Sequence, residues 1–180
     1  MDYELPPNID INQKALFEWI INSTDNAIIC KDLNGNITTW NKAAEKIFGY
    51  TEAEILHKNI SIIIPEDLLS EEVTLIQKIK SDQRVEQYET RRIRKDGKII
   101  DVSLNLSPVN DSNGKIIGAS KILNDITEKT IAAQSLIESE KKYRTLFHNN
   151  PLPLFVLELP SLKFLDINIS AIEHYGYSRE

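Results

Sequence analysis

Apolar positions change their spacing several times along the first 130 residues, and each change marks an element. Leu16, Phe17, Ile20 and Ile21 recur at helical spacing, which predicts an amphipathic helix over 13–23 behind a polar, Pro-containing, flexible lead-in of 1–12. Ala27-Ile28-Ile29-Cys30-Lys31 reads as a short strand, Asn34-Gly35 as a hairpin turn, and Ile37-Thr38-Thr39-Trp40 as the returning strand. Asn41 is a good N-cap for a helix over 42–48 that Gly49 ends, and Thr51 with Glu54 fits the capping box of a second short helix. Pro65 opens a third helix. Its acidic start (Glu66, Asp67, Glu71, Glu72) suits the helix dipole, and its apolar stripe reads Leu68/Leu69, Val73, Ile76 and Ile79.

From Gln87 the period falls to two. Val102, Leu104 and Leu106 alternate with Ser103, Asn105 and Ser107, a half-buried antiparallel strand between Asp96-Gly97 and Asn113-Gly114 turns. A strand follows to Leu123, and 127–149 then reads as one helix without Pro or Gly. Two strands, several short helices and a three-strand meander predict an α+β fold: one five-stranded antiparallel sheet with helices on one face. Between sheet and helices lies either a filled core or a small cavity. For a cavity, the expected lining is Ile29, Tyr88, Leu104, Leu106 and Ile122 from strands and Ile62 and Ile76 from helices. Glu86 or Thr90 would anchor a polar group.

The start of the chain recurs near its end. Asn41, Ala44, Phe48, Gly49, Tyr50 and Thr51 align at one fixed offset with Asn168, Ala171, Tyr175, Gly176, Tyr177 and Ser178. The expected division is a domain over 13–126, a connector helix over 127–149, and over 150–180 the beginning of a second, incomplete copy. A longer parent is expected, because a lone partial copy leaves a sheet edge uncovered.

Composition narrows the function. The chain of 180 residues is 41% hydrophobic and 27% charged, with a net charge of -6. Mixed-sign charge argues against nucleic-acid binding, and the one basic cluster, Arg91 to Lys95, reads as a solvated strand end. No signal-like or membrane-spanning run is present, so a cytoplasmic location without direct membrane insertion is expected, although the parent can be membrane-attached. Cys30 is the single cysteine and reads as a small buried hydrophobe. No phosphate loop, metal-ligand spacing or nucleophile–base arrangement stands out, so neither a catalytic nor a metal site is expected.

Together, Asp32-Leu33-Asn34-Gly35-Asn36-Ile37, Asn41 to Tyr50, Ile64-Pro65-Glu66-Asp67, Arg94-Lys95-Asp96-Gly97 and Asn124-Asp125-Ile126-Thr127-Glu128 closely resemble the PAS domain of the S-box type. The resemblance implies a sensory module in a parent such as a sensor histidine kinase or diguanylate cyclase. It implies that Asp125, Ile126 and Thr127 are the hinge that relays a signal from the sheet into the connector helix toward an output domain. It also implies a homodimer through the N-terminal and connector helices. Haem-binding members carry a His at or near the position of Glu72, and flavin photoreceptors carry a reactive Cys where Lys58 to Ile63 stand here. Haem and a covalent flavin adduct are therefore disfavoured, no cofactor is predicted, and an unknown small molecule stays open. Thr127 is expected to cap the connector helix with its hydroxyl. Ile126, Ala133, Leu136, Tyr143 and Phe147 form either a weak dimer seam or a face packed on the chain's own domain. The alternative function is a ligand-free interaction or spacer module.

Overall fold

The computed structural model describes residues 13–176, so the 1–12 lead-in and the Tyr177-Ser178 end of the repeat lie outside the described residues. The chain forms two compact units that divide between Thr127 and Glu128.

In the first unit, helix α1 (Gln13–Asn22) precedes strands β1 (Ala27–Asp32) and β2 (Ile37–Trp40). Three short helices follow: α2 (Lys42–Phe48), α3 (Glu52–Ile55) and α4 (Leu69–Lys80), with 3-10 turns at Ile60–Ile63 and Glu66–Leu68. Strands β3 (Val85–Ile93), β4 (Ile99–Asn110) and β5 (Ile116–Asp125) complete one antiparallel sheet in the order β2-β1-β5-β4-β3. The last strand thus lies in the middle of the sheet, paired with β1 through Ile28↔Ile122 and with β4 through Leu104↔Leu123.

Strand alternation sends Ala27 and Ile29, Ile100, Val102, Leu104 and Leu106, and Ala119 and Leu123 into one core, which Phe48, Ile55, Ile63, Leu75 and Ile79 cover from the helical side. The local signals behave as chemistry requires. Asn41 accepts the Ala44 N–H at the α2 N-terminus, and Gly49 ends the helix in the left-handed conformation at φ 79°. The Glu54 carboxylate takes both the backbone N–H (2.9 Å) and the hydroxyl (3.1 Å) of Thr51. Gly118 has no room for a side chain, since a Cβ there would lie 2.3 Å from the Lys31 carbonyl oxygen on β1.

One face differs from expectation. Helix α4 buries Ile79 and packs Ile76 on the core, with Leu68 just before it, as the stripe predicts, but Val73 is exposed and Leu75 takes an inward place instead. Glu71 and Glu72, expected as charges that suit the helix dipole, also pair with cations of the sheet.

The second unit holds most of α5 (Thr127–His148), the hairpin of β6 (Phe155–Leu157) and β7 (Phe164–Ile167), and helix α6 (Ile169–Tyr175). Phe147 is buried within it and stacks on Tyr143 at 5.2 Å, so of the expected seam positions this one serves the unit's own packing. Asn168 accepts the N–H groups of Leu154 and Ala171 and donates to the carbonyls of Asn150 and Leu152. Asn41 does the same in the first unit, with Ile28 and Ala44 as donors and Ile21 and Asn26 as acceptors.

Candidate functional site

The inner face of the sheet is not wholly apolar. By the same alternation that buries its aliphatic residues, β1, β3 and β5 each send a cation inward: Lys31, Arg92 and Lys121, all fully buried. Helix α4 places two carboxylates over them. Glu72 bridges the lysines, one oxygen contacting Lys31 Nζ and the other 2.6 Å from Lys121 Nζ. Glu71 accepts from Arg92 Nη2 at 3.0 Å, from the Thr90 hydroxyl at 2.7 Å and from the Tyr88 hydroxyl at 3.3 Å. Arg92 Nη1 also donates to the Arg91 carbonyl at 2.7 Å and to Thr90 Oγ1 at 3.2 Å.

Removing this many charges from water is costly, and the attraction between them offsets the cost only where pairing is complete. Here three cations face two carboxylates. Burial pushes Lys31 down from its usual 10.5 to about 6, and the charges of Lys121 and Arg92 add to the shift. Burial and Arg92 push Lys121 down to about 7. Burial and the neighbouring Glu71 hold the Tyr88 phenol above its usual range.

The expected cavity residues divide three ways. Ile29, Leu104 and Leu106 are buried in the core, while Ile62, Ile76 and Tyr88 pack half-buried against it. Ile122 is a correction: it is 42% exposed on the opposite face, because Ala119, Lys121 and Leu123 take the inward positions of β5. Glu86 is exposed and stands apart from Thr90, which does join the cluster. Cys30 alternates with buried Ile29 and Lys31, so it lies half-buried on the outer face rather than in the core. Arg92 is a buried ion-pair partner rather than part of a solvated strand end. Sequence reasoning missed Lys31 and Lys121. The available signal was that they continue the period-two run of Ala27 and Ile29 and of Ala119 and Leu123.

A second feature joins sheet to exit helix. The Asp101 carbonyl on β4 accepts the Ile126 N–H at 2.9 Å, and the Asp101 N–H donates to Thr127 Oγ1 at 3.0 Å. The Thr127 N–H is taken by the Asp125 carboxylate at 2.9 Å. The expected role of Thr127 is thereby corrected. Its hydroxyl clamps the helix start to β4 instead of capping the first-turn amides, and Asp125 supplies the acceptor.

A mid-sheet last strand leading straight into a helix, with short helices over the core face of the sheet, defines an α+β module. A family model of the PAS fold matches residues 15–126, and the chain belongs to that family. Among its relatives, the signal transduction histidine-protein kinase AtoS of Escherichia coli (strain K12) is 24% identical over 130 residues, 71% of this chain. That alignment spans 21% of the kinase. The PAS domain of a protein from Colwellia psychrerythraea matches with a TM-score of 0.58 at 24% identity, over 65% of this chain and 99% of that one. An RNA-binding light-oxygen-voltage receptor matches with a TM-score of 0.63 at 21% identity, over 78% of this chain and 40% of that one. These structural likenesses show the fold. Among the described residues no helix is long and apolar enough to cross a membrane.

Proposed function

We propose that the first unit senses a ligand or partner state and relays it through Asp125, Ile126 and Thr127 into α5, toward an output domain such as a histidine kinase. The observation that carries the reading is the double hold of Asp101 on Ile126 and Thr127. A displacement of β4 moves the first turn of α5 with it, because both backbone groups of Asp101 are tied to it. Such a relay works only if the input binds the two arrangements with different affinity. Thr127→Val keeps the side-chain shape and removes the clamp, leaving the Asp101 N–H without its acceptor at a cost of about 1–3 kcal/mol. The expected result is faster amide exchange in the first turn of α5 with the cooperative unfolding of the sheet retained. In the parent protein, output changes more than sensor folding. Unchanged exchange in that turn would sink the relay.

The residues over 150–180 are read as the start of a second module, supported by the matching hydrogen bonds of Asn41 and Asn168. Dimerisation is supported by α1, which exposes Leu16, Phe17, Trp19 and Ile20 together. Sedimentation of Ile20→Glu is expected to show a weakened dimer; a wild-type chain that stays monomeric at high concentration rejects this part. The second reading, a ligand-free interaction or spacer module, is favoured by the packing of Ile29, Leu104 and Leu106 into the core.

A further inference from the structure

Three cations converge beneath α4, and among the described residues two carboxylates answer them. Glu71 is fully engaged by Arg92, Thr90 and Tyr88. Glu72 stands differently. It holds Lys31 and Lys121 alone, and its side chain is 14% exposed where each lysine is 1% exposed. Glu72 therefore sits at the mouth of the cluster and the lysines at its floor. The hydrophobic anchors of α4, Leu75 and Ile79, lie one and two turns further along, and Glu71 ties the same turn to β3, so Glu72 can leave the lysines by a side-chain rotation while the helix stays docked. The Asp32 side chain beside Lys31 is committed to its own turn, accepting from the Asn34 and Asn36 backbone and from Asn36 Nδ2.

We propose that Lys31 and Lys121 form a binding site for a small dianionic oxyanion, which enters by taking the place of the Glu72 carboxylate. The charge balance selects the dianion. With Glu72 in place the cluster carries one surplus positive charge when all its groups are ionised. A dianion in its place, with Glu71 kept, brings the sum to zero. Lysine suits this role, since its ammonium is a point charge with rotatable donors that adapts to carboxylate or phosphate oxygen alike. Without the anion the surplus is relieved by loss of a lysine proton, in line with the lowered Lys31 and Lys121 values, so anion binding is coupled to uptake of a proton that restores both charged lysines. Displacement of Glu72 releases its tie from α4 to β1 and β5, so anion binding is an input of the kind the sensory reading requires. The proposal rests on that reading and names its ligand class.

The test is thermal unfolding and calorimetric titration of the full chain with succinate and with inorganic phosphate, against sodium chloride at matched ionic strength. The expected result is a saturable rise in Tm with one of the two anions and none with chloride. Which anion acts tells whether the oxyanion is a carboxylate or a phosphate. Glu72→Gln removes the internal competitor and keeps both lysines, and is expected to tighten the titration about tenfold. Lys121→Met is expected to abolish it. Circular dichroism establishes that each variant is folded, and the wild-type titration stands if either is not. No saturable response to either anion, in wild type and in folded Glu72→Gln, overturns the site. A neutral molecule retained in native mass spectrometry, alongside such a null titration, overturns the anion assignment and leaves the sensory reading standing. Anion binding that leaves amide exchange in α4 and the first turn of α5 unmoved overturns its role as an input.

Discussion

Lys121 is buried because its strand has no alternative to offer it. Ala119 and Leu123 must face the core, and a residue midway between them follows. Glu72 makes that tolerable, and the arrangement carries a pH signature. Lys31 and Lys121 have folded values of about 6 and about 7, both below the usual 10.5 of an unfolded lysine. Between those limits the unfolded chain binds more protons than the folded one, so stability rises with pH across the window and falls as pH drops toward the folded values. Urea unfolding from mildly acidic to alkaline pH is expected to show that slope, and Lys31→Met to flatten it. Removing this lysine also removes the cost of stripping its proton on burial, so the variant is expected to be as stable as wild type or more so at neutral pH. Glu72→Gln is expected to cost about 3–5 kcal/mol, because it strands buried cations. A Lys31→Met protein with an undiminished slope would place the titration elsewhere.

Between elements, contacts depend on how closely backbones approach. Gly118 on β5 lies against the Lys31 carbonyl on β1, with a would-be Cβ at 2.3 Å from that oxygen. Both partners are backbone of a central strand pair, so no side chain can yield. Gly118→Ala is expected to part β1 from β5 at that point and to destabilise the first unit by about 1–3 kcal/mol. Denaturant unfolding checks the magnitude, and an unchanged midpoint would show that the strands slide freely. Element identity was legible in the sequence because local chemistry sets it. Asn41, Gly49, Thr51-Glu54 and the Asp96-Gly97 turn act within a few residues of themselves, and the alternation along β4 displays its own buried face. The face of α4 was legible only in part: Leu68, Ile76 and Ile79 of the expected stripe do face the core, and Val73 does not. Hydrophobicity alone selects Val73, and a one-residue shift turns a helix by about 100°. What the pattern could not show is the inward place of Glu72, set by its pairing with Lys31 and Lys121, 41 and 49 residues away in sequence. The same blindness read Arg92 as solvated, whereas Ile122 was sent inward by following its hydrophobicity against the period-two run of Ala119 and Leu123.

At the scale of the whole molecule, the two asparagine hubs offer a way to ask how far the two units depend on one another. Asn41 and Asn168 each hold a strand start, a preceding loop and a helix N-terminus with four hydrogen bonds of the same pattern. Each is buried, so truncation to Ala leaves several polar groups without partners, at about 1–3 kcal/mol for each group that water does not reach. The surroundings differ. Asn41 is embedded in a five-stranded sheet with a continuous core, whereas Asn168 organises a two-stranded hairpin whose Phe155, Phe164 and Leu165 are exposed. A hairpin with so little buried surface is marginal without further packing. Asn41→Ala is therefore expected to lower the midpoint of a cooperative transition that persists. Asn168→Ala is expected to abolish amide-exchange protection over β6, β7 and α6 and to leave the sheet of the first unit protected as before. Loss of protection in β1, β4 or β5 on Asn168→Ala would mean that the two units fold as one, and the clamp at Asp101 and Thr127 would then report on both.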